Sequence, residues 1–226
     1  MVESRSQQSF AVIFDFDGVI LDSETPEFEA HRQIFARHGL DLTMDEWCGC
    51  VGLWQSVNWF DVLTTRGETT LSREAFVAEK RRIAREVVQM EPLPGIRELL
   101  DGLAARRIPT AVASTSPARW VLPAADELGI RQYFTTIVTG DDVERRKPAP
   151  DIYVMAAARL GVLPSRCVAI EDTRPGLVAA KTAGMRVVVI PHLLTETHDL
   201  ADADLRVSSA IDLDLERLRD VAETAD

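Results

Sequence analysis

The sequence lacks several features that mark exported or membrane proteins. Only three cysteines occur among 226 residues, an odd number without the spacing of a disulfide framework. No apolar run approaches the roughly 18 residues that a membrane-spanning helix needs. The first nine residues are polar and do not contain the apolar core of a signal peptide. We therefore expect a reduced, cytoplasmic protein with no membrane partner.

Positive charge is also scarce. The formal net charge is −11, and segment 196–226 contains ten acidic residues against three arginines. Nucleic-acid binding depends on clustered basic residues, so an acidic chain without a basic stripe argues against a nucleic-acid partner. The simplest interpretation of the acidic C-terminal segment is a solvated surface.

The chain does contain a regular alternation of strand and helix patterns. Apolar, strand-like runs occur at 10–13, 108–113, 136–138, 167–170 and 187–190. Helical periodicity occurs between them, at 96–107, 118–128, 152–160 and 177–183. This alternation predicts an α/β fold, with a Rossmann-like parallel sheet and helices on both faces.

Region 23–92 interrupts the alternation. It shows helical patterns at 27–37, 57–65 and 73–89 but no convincing strand. We therefore expect an inserted, all-helical cap domain at 23–92 and a catalytic core formed by 1–22 and 93–226. The alternative is one continuous domain.

The most informative motif is Asp15-Phe16-Asp17-Gly18, directly after the first apolar run. Two carboxylates at the end of a buried strand repel each other unless a cation or a proton relieves the conflict. Gly18 allows the backbone to turn away and leave room for a ligand. The two aspartates therefore suggest a catalytic site that binds a hard cation. The alternative interpretation is a solvated Asp-Gly turn.

Further polar residues follow the later strands. Ser114 and Thr115 follow the second strand, and Lys147 begins a proline-rich stretch after the third. Glu171 and Asp172 follow the fourth. Because open parallel sheets place ligand sites at the carboxyl ends of their strands, we expect these side chains to share one site.

These four motifs, in this order, resemble those of the haloacid dehalogenase-like hydrolases, in the subgroup of β-phosphoglucomutase and the small-sugar phosphatases. The resemblance covers about 10–190 and departs mildly at Thr173, where relatives often carry serine. It implies phosphoryl transfer through an aspartyl-phosphate intermediate, with Asp15 as the nucleophile. Asp17 would be the general acid and base. Dehalogenases of the superfamily lack an aspartate at this position, so Asp17 points to phosphoryl transfer.

The resemblance also implies supporting roles at the phosphoryl group. The Ser114 hydroxyl and the Thr115 backbone amide would donate hydrogen bonds to it. Lys147 would neutralise its charge and hold Asp15 ionised. A surface lysine in a proline-stiffened loop is the alternative interpretation of Lys147.

The cofactor that the resemblance implies is Mg²⁺. Its expected protein ligands are the Asp15 carboxylate, the Asp17 backbone carbonyl and Asp172. Glu171 would act through a bound water or as an additional ligand.

Two departures distinguish this chain from the mutase. Glu27 occupies the position of a mutase histidine, and Gln55 that of a cap arginine which grips the second phosphate. Without that cation a second phosphate would be poorly held. We therefore predict a magnesium-dependent phosphatase acting on a small phosphorylated metabolite, such as a sugar phosphate. A monomer is expected, with a dimer as the alternative.

Two other functions are kept as alternatives. One is a β-phosphoglucomutase-like sugar-phosphate mutase, which the overall resemblance supports. The other is a catalytically idle, ligand-binding relative. The intact acids and lysine oppose this second alternative, because an idle site has no need to keep its costly charges together.

The remaining candidates carry weaker signals. Cys48 and Cys50 lack the spacing of a zinc site and are interpreted as small cap residues. Trp54 resembles a residue of the family's substrate-facing cap loop, whereas Arg174 is either a phosphate or cap contact or a solvated side chain. Histidines without a ligand pattern, interpreted as structural or exposed, are His31, His38, His192 and His198.

Overall fold

The structure is a computed structural model that describes residues 10–52 and 57–224. Trp54 and Gln55 fall between these ranges, so the expectations about both residues lie outside the described part of the chain.

Six parallel strands form one sheet in the order β3-β2-β1-β4-β5-β6. They are β1 (Ala11–Phe14), β2 (Thr110–Ala113), β3 (Thr136–Val138), β4 (Cys167–Glu171), β5 (Arg186–Val189) and β6 (Leu205–Arg206). Strand β1 lies between β2 and β4, with Ile13 opposite both Ala111 and Ala169. The chain runs from β1 to one side of the sheet and later returns to the other, so the end of β1 is the topological switch point, where α/β proteins bind ligands.

Helices cover both faces of this sheet. The α-helices in the described ranges are α1 (Glu24–Arg37), α2 (Met44–Cys48), α3 (Trp59–Arg66), α4 (Arg73–Val87), α5 (Ile96–Ala105), α6 (Ala118–Glu127), α7 (Asp151–Leu160), α8 (Arg174–Thr182) and α9 (Leu215–Glu223). Side chains alternate between the faces of β1. Val12 and Phe14 pack with α5, α6 and α9, whereas Ala11 and Ile13 pack with α7 and α8. The expected α/β fold is confirmed.

Helices α1 to α4 lie between β1 and β2 in the chain, and α1 packs against α4. They share an apolar cluster of their own, which includes Phe28, Phe35, Leu63 and Ile83. Leu194, from the loop after β5, also belongs to this cluster. Between 23 and 92 the described residues contain helices and no strand. The division into a core and a cap domain stays a prediction.

The acidic C-terminal segment is more than a solvated surface. It contains β6 and α9, and Leu218 and Val221 on α9 are buried in the main apolar cluster. Leu215 and Ala222 pack against the same cluster, so one apolar face holds a helix whose other face is charged. No helix in the described ranges is long and apolar enough to cross a membrane.

Candidate active site

Three buried carboxylates meet where β1 and β4 end. They belong to Asp15, Glu171 and Asp172, and one oxygen from each lies within 4.8 Å of the others. The parallel register pairs Phe14 with Ile170, so the acids that follow these two residues lie on neighbouring strand ends. The sheet register thus assembles the acid motifs predicted from the sequence.

Lys147 reaches this cluster from the loop after β3. Its Nζ lies 2.9 Å from Asp15 Oδ1 and 2.7 Å from Glu171 Oε1. The ring of Tyr153 lies 5.0 Å from Nζ, and the Tyr153 hydroxyl donates to Glu171 Oε1 over 2.5 Å. Lys147 is 6% exposed, so it is a buried ion-pair partner and not a surface lysine.

The cluster carries an excess of negative charge. Burial raises the pKa of Asp15 above its ordinary value, Lys147 opposes this effect, and the neighbouring carboxylates add to it. Burial and Glu171 likewise raise the pKa of Asp172. Burial would lower the pKa of Lys147, but Asp15 and Glu171 outweigh it and raise that pKa. With all groups ionised, three carboxylates and one ammonium leave two uncompensated negative charges, which a divalent cation would balance.

Two acceptors at the cluster have no donor in the described part of the chain. Asp172 Oδ1 is a buried oxygen without a hydrogen-bond partner, and no described N–H donates to the Asp17 carbonyl. Hard cations such as Mg²⁺ take oxygen ligands of these kinds. The residues present therefore fit such an ion, with the Asp15 carboxylate as a third donor.

Glu171 is already occupied by protein contacts. Its Oε1 accepts from Lys147 and Tyr153, and its Oε2 accepts from the backbone amides of Asp172 and Thr173. The Thr173 hydroxyl lies 3.2 Å from Oε2 and also caps helix α8. Threonine therefore contacts the acid pair at the position where relatives often carry serine.

Asp17 lies in a cradle of four donors. Ser23 Oγ and Trp120 Nε1 donate to its Oδ1 over 2.6 and 2.9 Å. Ser114 Oγ and Ser116 Oγ donate to its Oδ2 over 3.1 and 2.7 Å. The second motif predicts Ser114 at this site, whereas Ser23 and Trp120 lie outside every motif. A lone serine and a lone tryptophan carry no motif, and only the fold brings them to this carboxylate.

A cavity of about 590 Å³ opens over Asp15 and Asp17, between the sheet edge and helices α1, α3 and α4. Thr115 and Ser116 line it, and the Thr115 amide has no acceptor among the described residues. Ser114 is buried and does not line the cavity. Its hydroxyl contacts Asp17 in this structure, whereas the neighbouring Thr115 lines the cavity.

The helical wall of the cavity combines aromatic surface with charged side chains. Trp47 and Trp59 stack with their ring centroids 5.3 Å apart, and both line the cavity along with other aromatic side chains. Glu27 also lines it, and Lys80 Nζ lies 2.7 Å from a Glu27 carboxylate oxygen. Glu27, at the position of the mutase histidine, is therefore paired with a cation in this structure.

Helix α1 places one more acid in this cavity. Burial raises the pKa of Glu24 to about 8, and the nearby carboxylates of Asp17 and Asp172 add to that shift. His31 forms part of the same wall, and burial lowers its pKa to about 4, which keeps the ring neutral. His31 lines the candidate site, and its interpretation as a structural residue stays a prediction.

One histidine lies at the acid cluster against expectation. His192 Nε2 is 3.0 Å from Asp172 Oδ2, so this residue is not merely structural or exposed. The sequence contained no signal for it, because a single histidine after the fifth strand matches no ligand pattern. Arg174, by contrast, donates to Asp202 Oδ2 over 2.7 Å and does not line the cavity.

The fold and the site together define an α/β enzyme whose acid and lysine groups converge at the carboxyl edge of a parallel sheet. A family model described as haloacid dehalogenase-like hydrolase matches residues 12–190. The chain belongs to this family. The sequence-based resemblance to the family and the expectation of a hydrolase are confirmed.

Individual relatives cover most of the chain. The phosphorylated carbohydrates phosphatase of Thermotoga maritima is 35% identical over 85% of this chain and 90% of its own length. The fructose-1-phosphate phosphatase of Escherichia coli is 33% identical over 78% and 94%. The crystal structure of β-phosphoglucomutase from Clostridium difficile matches with a TM-score of 0.71 and 27% identity, over 94% and 96%.

Proposed function

We propose that this protein is a magnesium-dependent phosphatase that hydrolyses a small phosphorylated carbohydrate through an aspartyl-phosphate intermediate. The observation that carries the proposal is the Asp15 carboxylate, which lies at the cavity floor, bound to Lys147 and adjacent to Asp17. Phosphatases occur among relatives that match most of the chain, which supports hydrolysis of phosphoric monoesters.

In the proposed reaction, Asp15 attacks phosphorus and displaces the alcohol oxygen of the ester. Asp17 donates a proton to that leaving oxygen, and then accepts a proton from the water that hydrolyses the aspartyl phosphate. Regenerated Asp15 and inorganic phosphate complete the cycle. The four contacts around Asp17 hold its side chain in place for both proton transfers. When Asp17 carries the proton that it donates to the leaving oxygen, one of the serine hydroxyls turns to accept a hydrogen bond from it.

Groups around Asp15 support the transfer. Lys147 compensates the charge of the nucleophile and of the phosphoryl group, and the Thr115 amide donates to a phosphoryl oxygen. Ser114 would reach the phosphoryl group only if its contact with Asp17 opened. Asp15, Asp172 and the Asp17 carbonyl would hold Mg²⁺, which when bound supplies charge relief between two anionic reactants. Glu171, whose oxygens are occupied, would act through a bound water.

The cavity supports a carbohydrate leaving group. Stacked aromatic rings offer apolar surface to sugar carbons, and the Glu27–Lys80 pair offers a hydrogen-bond acceptor and a donor to hydroxyls. The names of two relatives refer to phosphorylated carbohydrates and to fructose 1-phosphate. Region 23–92 would act as the cap domain that closes over this substrate. The protein would act as a monomer.

Mutase chemistry remains the second candidate, favoured by the likeness to a β-phosphoglucomutase structure. A mutase must hold a second phosphate in the cap. Two described cations line the cavity, Lys80 and Arg73. Lys80 is paired with Glu27 at 2.7 Å, and Arg73 is paired with Asp61 at 2.6 Å. A second phosphate would have to displace one of these acids from its cation, so the hydrolase fits the described residues better.

The experiment is a phosphate-release assay on a panel of monophosphate esters, with Mg²⁺, with a chelator and with Ca²⁺. We expect release only with Mg²⁺ and inhibition by Ca²⁺, which prefers more ligands and a looser geometry. A coupled assay tests the conversion of β-glucose 1-phosphate to glucose 6-phosphate in the presence of the bisphosphate activator. Efficient interconversion with little phosphate released would promote the mutase instead.

A further inference from the structure

The contact between His192 and Asp172 defines which oxygen of the acid is free. Asp172 is fully buried, and its Oδ2 lies 3.0 Å from His192 Nε2. Its Oδ1 has no hydrogen-bond partner among the described residues. A buried carboxylate normally has partners for both oxygens, so the free Oδ1 indicates a missing ligand.

The tautomer of His192 follows from its second contact. The backbone amide of Leu194 lies 3.3 Å from His192 Nδ1, and an amide can only donate, so Nδ1 is the acceptor. Nε2 therefore carries the proton and donates it to Asp172 Oδ2.

The loop after β5 is built to keep the ring in this position. The His192 amide donates to Thr195 Oγ1 over 3.0 Å, and the Thr195 amide donates back to the His192 carbonyl over 2.9 Å. Gly18 faces the pair from the other side with a φ of +83°. A Cβ at Gly18 would lie 2.3 Å from Asp172 Oδ2 and 3.0 Å from His192 Nε2, so a side chain there would displace the contact.

We propose that His192 is a positioning residue for the divalent cation, because its Nε2–H occupies Asp172 Oδ2 and leaves Oδ1 as the ligand atom. This inference rests on the metal dependence in the proposed function. It concerns a residue outside the acid, serine and lysine motifs. A hydrogen bond of this kind fixes the carboxylate against rotation, and loss of such outer contacts commonly weakens metal binding by about 10–100-fold.

The test compares His192→Leu, which removes the donor, with His192→Gln, whose amide nitrogen can reach Asp172. Mg²⁺ affinity is measured by isothermal titration calorimetry without substrate, and unfolding temperatures confirm that each variant is folded. We expect affinity about 10–100-fold weaker in His192→Leu and within about 3-fold of wild type in His192→Gln. With saturating Mg²⁺, the KM for the phosphate ester should be unchanged in both variants.

His198→Leu is the matched control. His198 lies in the same loop region, but its nitrogens contact the Arg174 amide and the Cys48 carbonyl, and no carboxylate. Its replacement should leave Mg²⁺ affinity unchanged. Wild-type affinity in His192→Leu, or an equal loss in His192→Leu and His192→Gln, would overturn the proposal. If His192→Leu does not fold, His192→Ala is compared with His192→Gln by the same criteria.

The phosphatase proposal and the proposal for His192 can be refuted independently of each other. A wild-type protein that binds Mg²⁺ but releases no phosphate from any ester would refute the phosphatase, whereas the role of His192 would still be judged by the binding constants. A wild-type protein without Mg²⁺ binding would overturn both.

Discussion

Replacing Asp15 with asparagine should abolish turnover and at the same time stabilise the metal-free protein. Asparagine keeps the shape of the side chain and an oxygen that can accept from the Phe16 amide, which donates to Asp15 Oδ1 over 2.7 Å. Only the negative charge and its nucleophilicity disappear. We expect activity to fall by at least about 1000-fold, since loss of a nucleophile is among the largest single effects in enzymes.

The stability effect follows from the charges around Asp15. Lys147 keeps its second partner, Glu171, over 2.7 Å, so the substitution leaves this lysine paired. The pKa of Asp15 is raised despite Lys147, which means that its charged form is unfavourable in the folded protein. Removing this charge should therefore stabilise the metal-free protein at neutral pH. For a chain of this size, each kcal/mol gained raises Tm by about 2–4 °C.

The stability difference between wild type and Asp15→Asn should depend on pH. A carboxyl whose pKa is raised on folding binds more protons in the folded state, so wild-type stability falls as pH rises above the unfolded pKa of about 4. The stabilisation in Asp15→Asn should therefore be small at pH 4.5 and larger at pH 7.5. Added Mg²⁺ should reverse the order, because it stabilises the folded wild type by binding and meets an uncharged, weaker ligand at position 15 of the variant.

Thermal unfolding followed by circular dichroism, with a chelator at both pH values, measures these differences. Asp126→Asn is the control, because Asp126 forms a surface pair with Arg131 at a 60% exposed side chain and should change Tm little. A lower Tm for Asp15→Asn than for wild type, in chelator at pH 7.5, would refute the inference that the acid cluster of the metal-free protein carries excess negative charge. Activity above a few per cent would refute Asp15 as the nucleophile.

Three further substitutions test neighbouring parts of the site. Asp172→Asn should weaken Mg²⁺ binding by at least about 10-fold in calorimetry, and unchanged affinity would remove Asp172 from the ligand set. Tyr153→Phe removes the hydroxyl that donates to Glu171, so urea unfolding should show a loss of about 1.5–3 kcal/mol; a neutral result would mean that this contact adds no net stability. Trp120→Phe removes one donor to Asp17 Oδ1, and steady-state kinetics should show kcat lowered about 3- to 10-fold at constant KM; an unchanged kcat would contradict a role for the Trp120 N–H in placing Asp17.

Local sequence was enough to place the predicted strands and most helices, because their periodicity reports which face is buried. Helix α9 was not predicted, although Leu215, Leu218, Val221 and Ala222 form one apolar face with helical spacing. Its many charged residues favoured the interpretation of this segment as a solvated surface. Strand β6 is two residues long and forms only by pairing with β5. A strand that short has no period of its own, and only the existing sheet edge can define it.

The same contrast applies to the site. The sequence alone determined the acid pairs after β1 and β4, the hydroxyls after β2 and Lys147 after β3, because these groups follow strands and carry a recognisable order. Only the tertiary structure decided their partners: Trp120 and Ser23 at Asp17, Tyr153 at Glu171, Lys80 at Glu27 and His192 at Asp172. Each of these partners is a single residue on another element, so its role depends on a distance across the fold, and no local pattern in the chain records that distance.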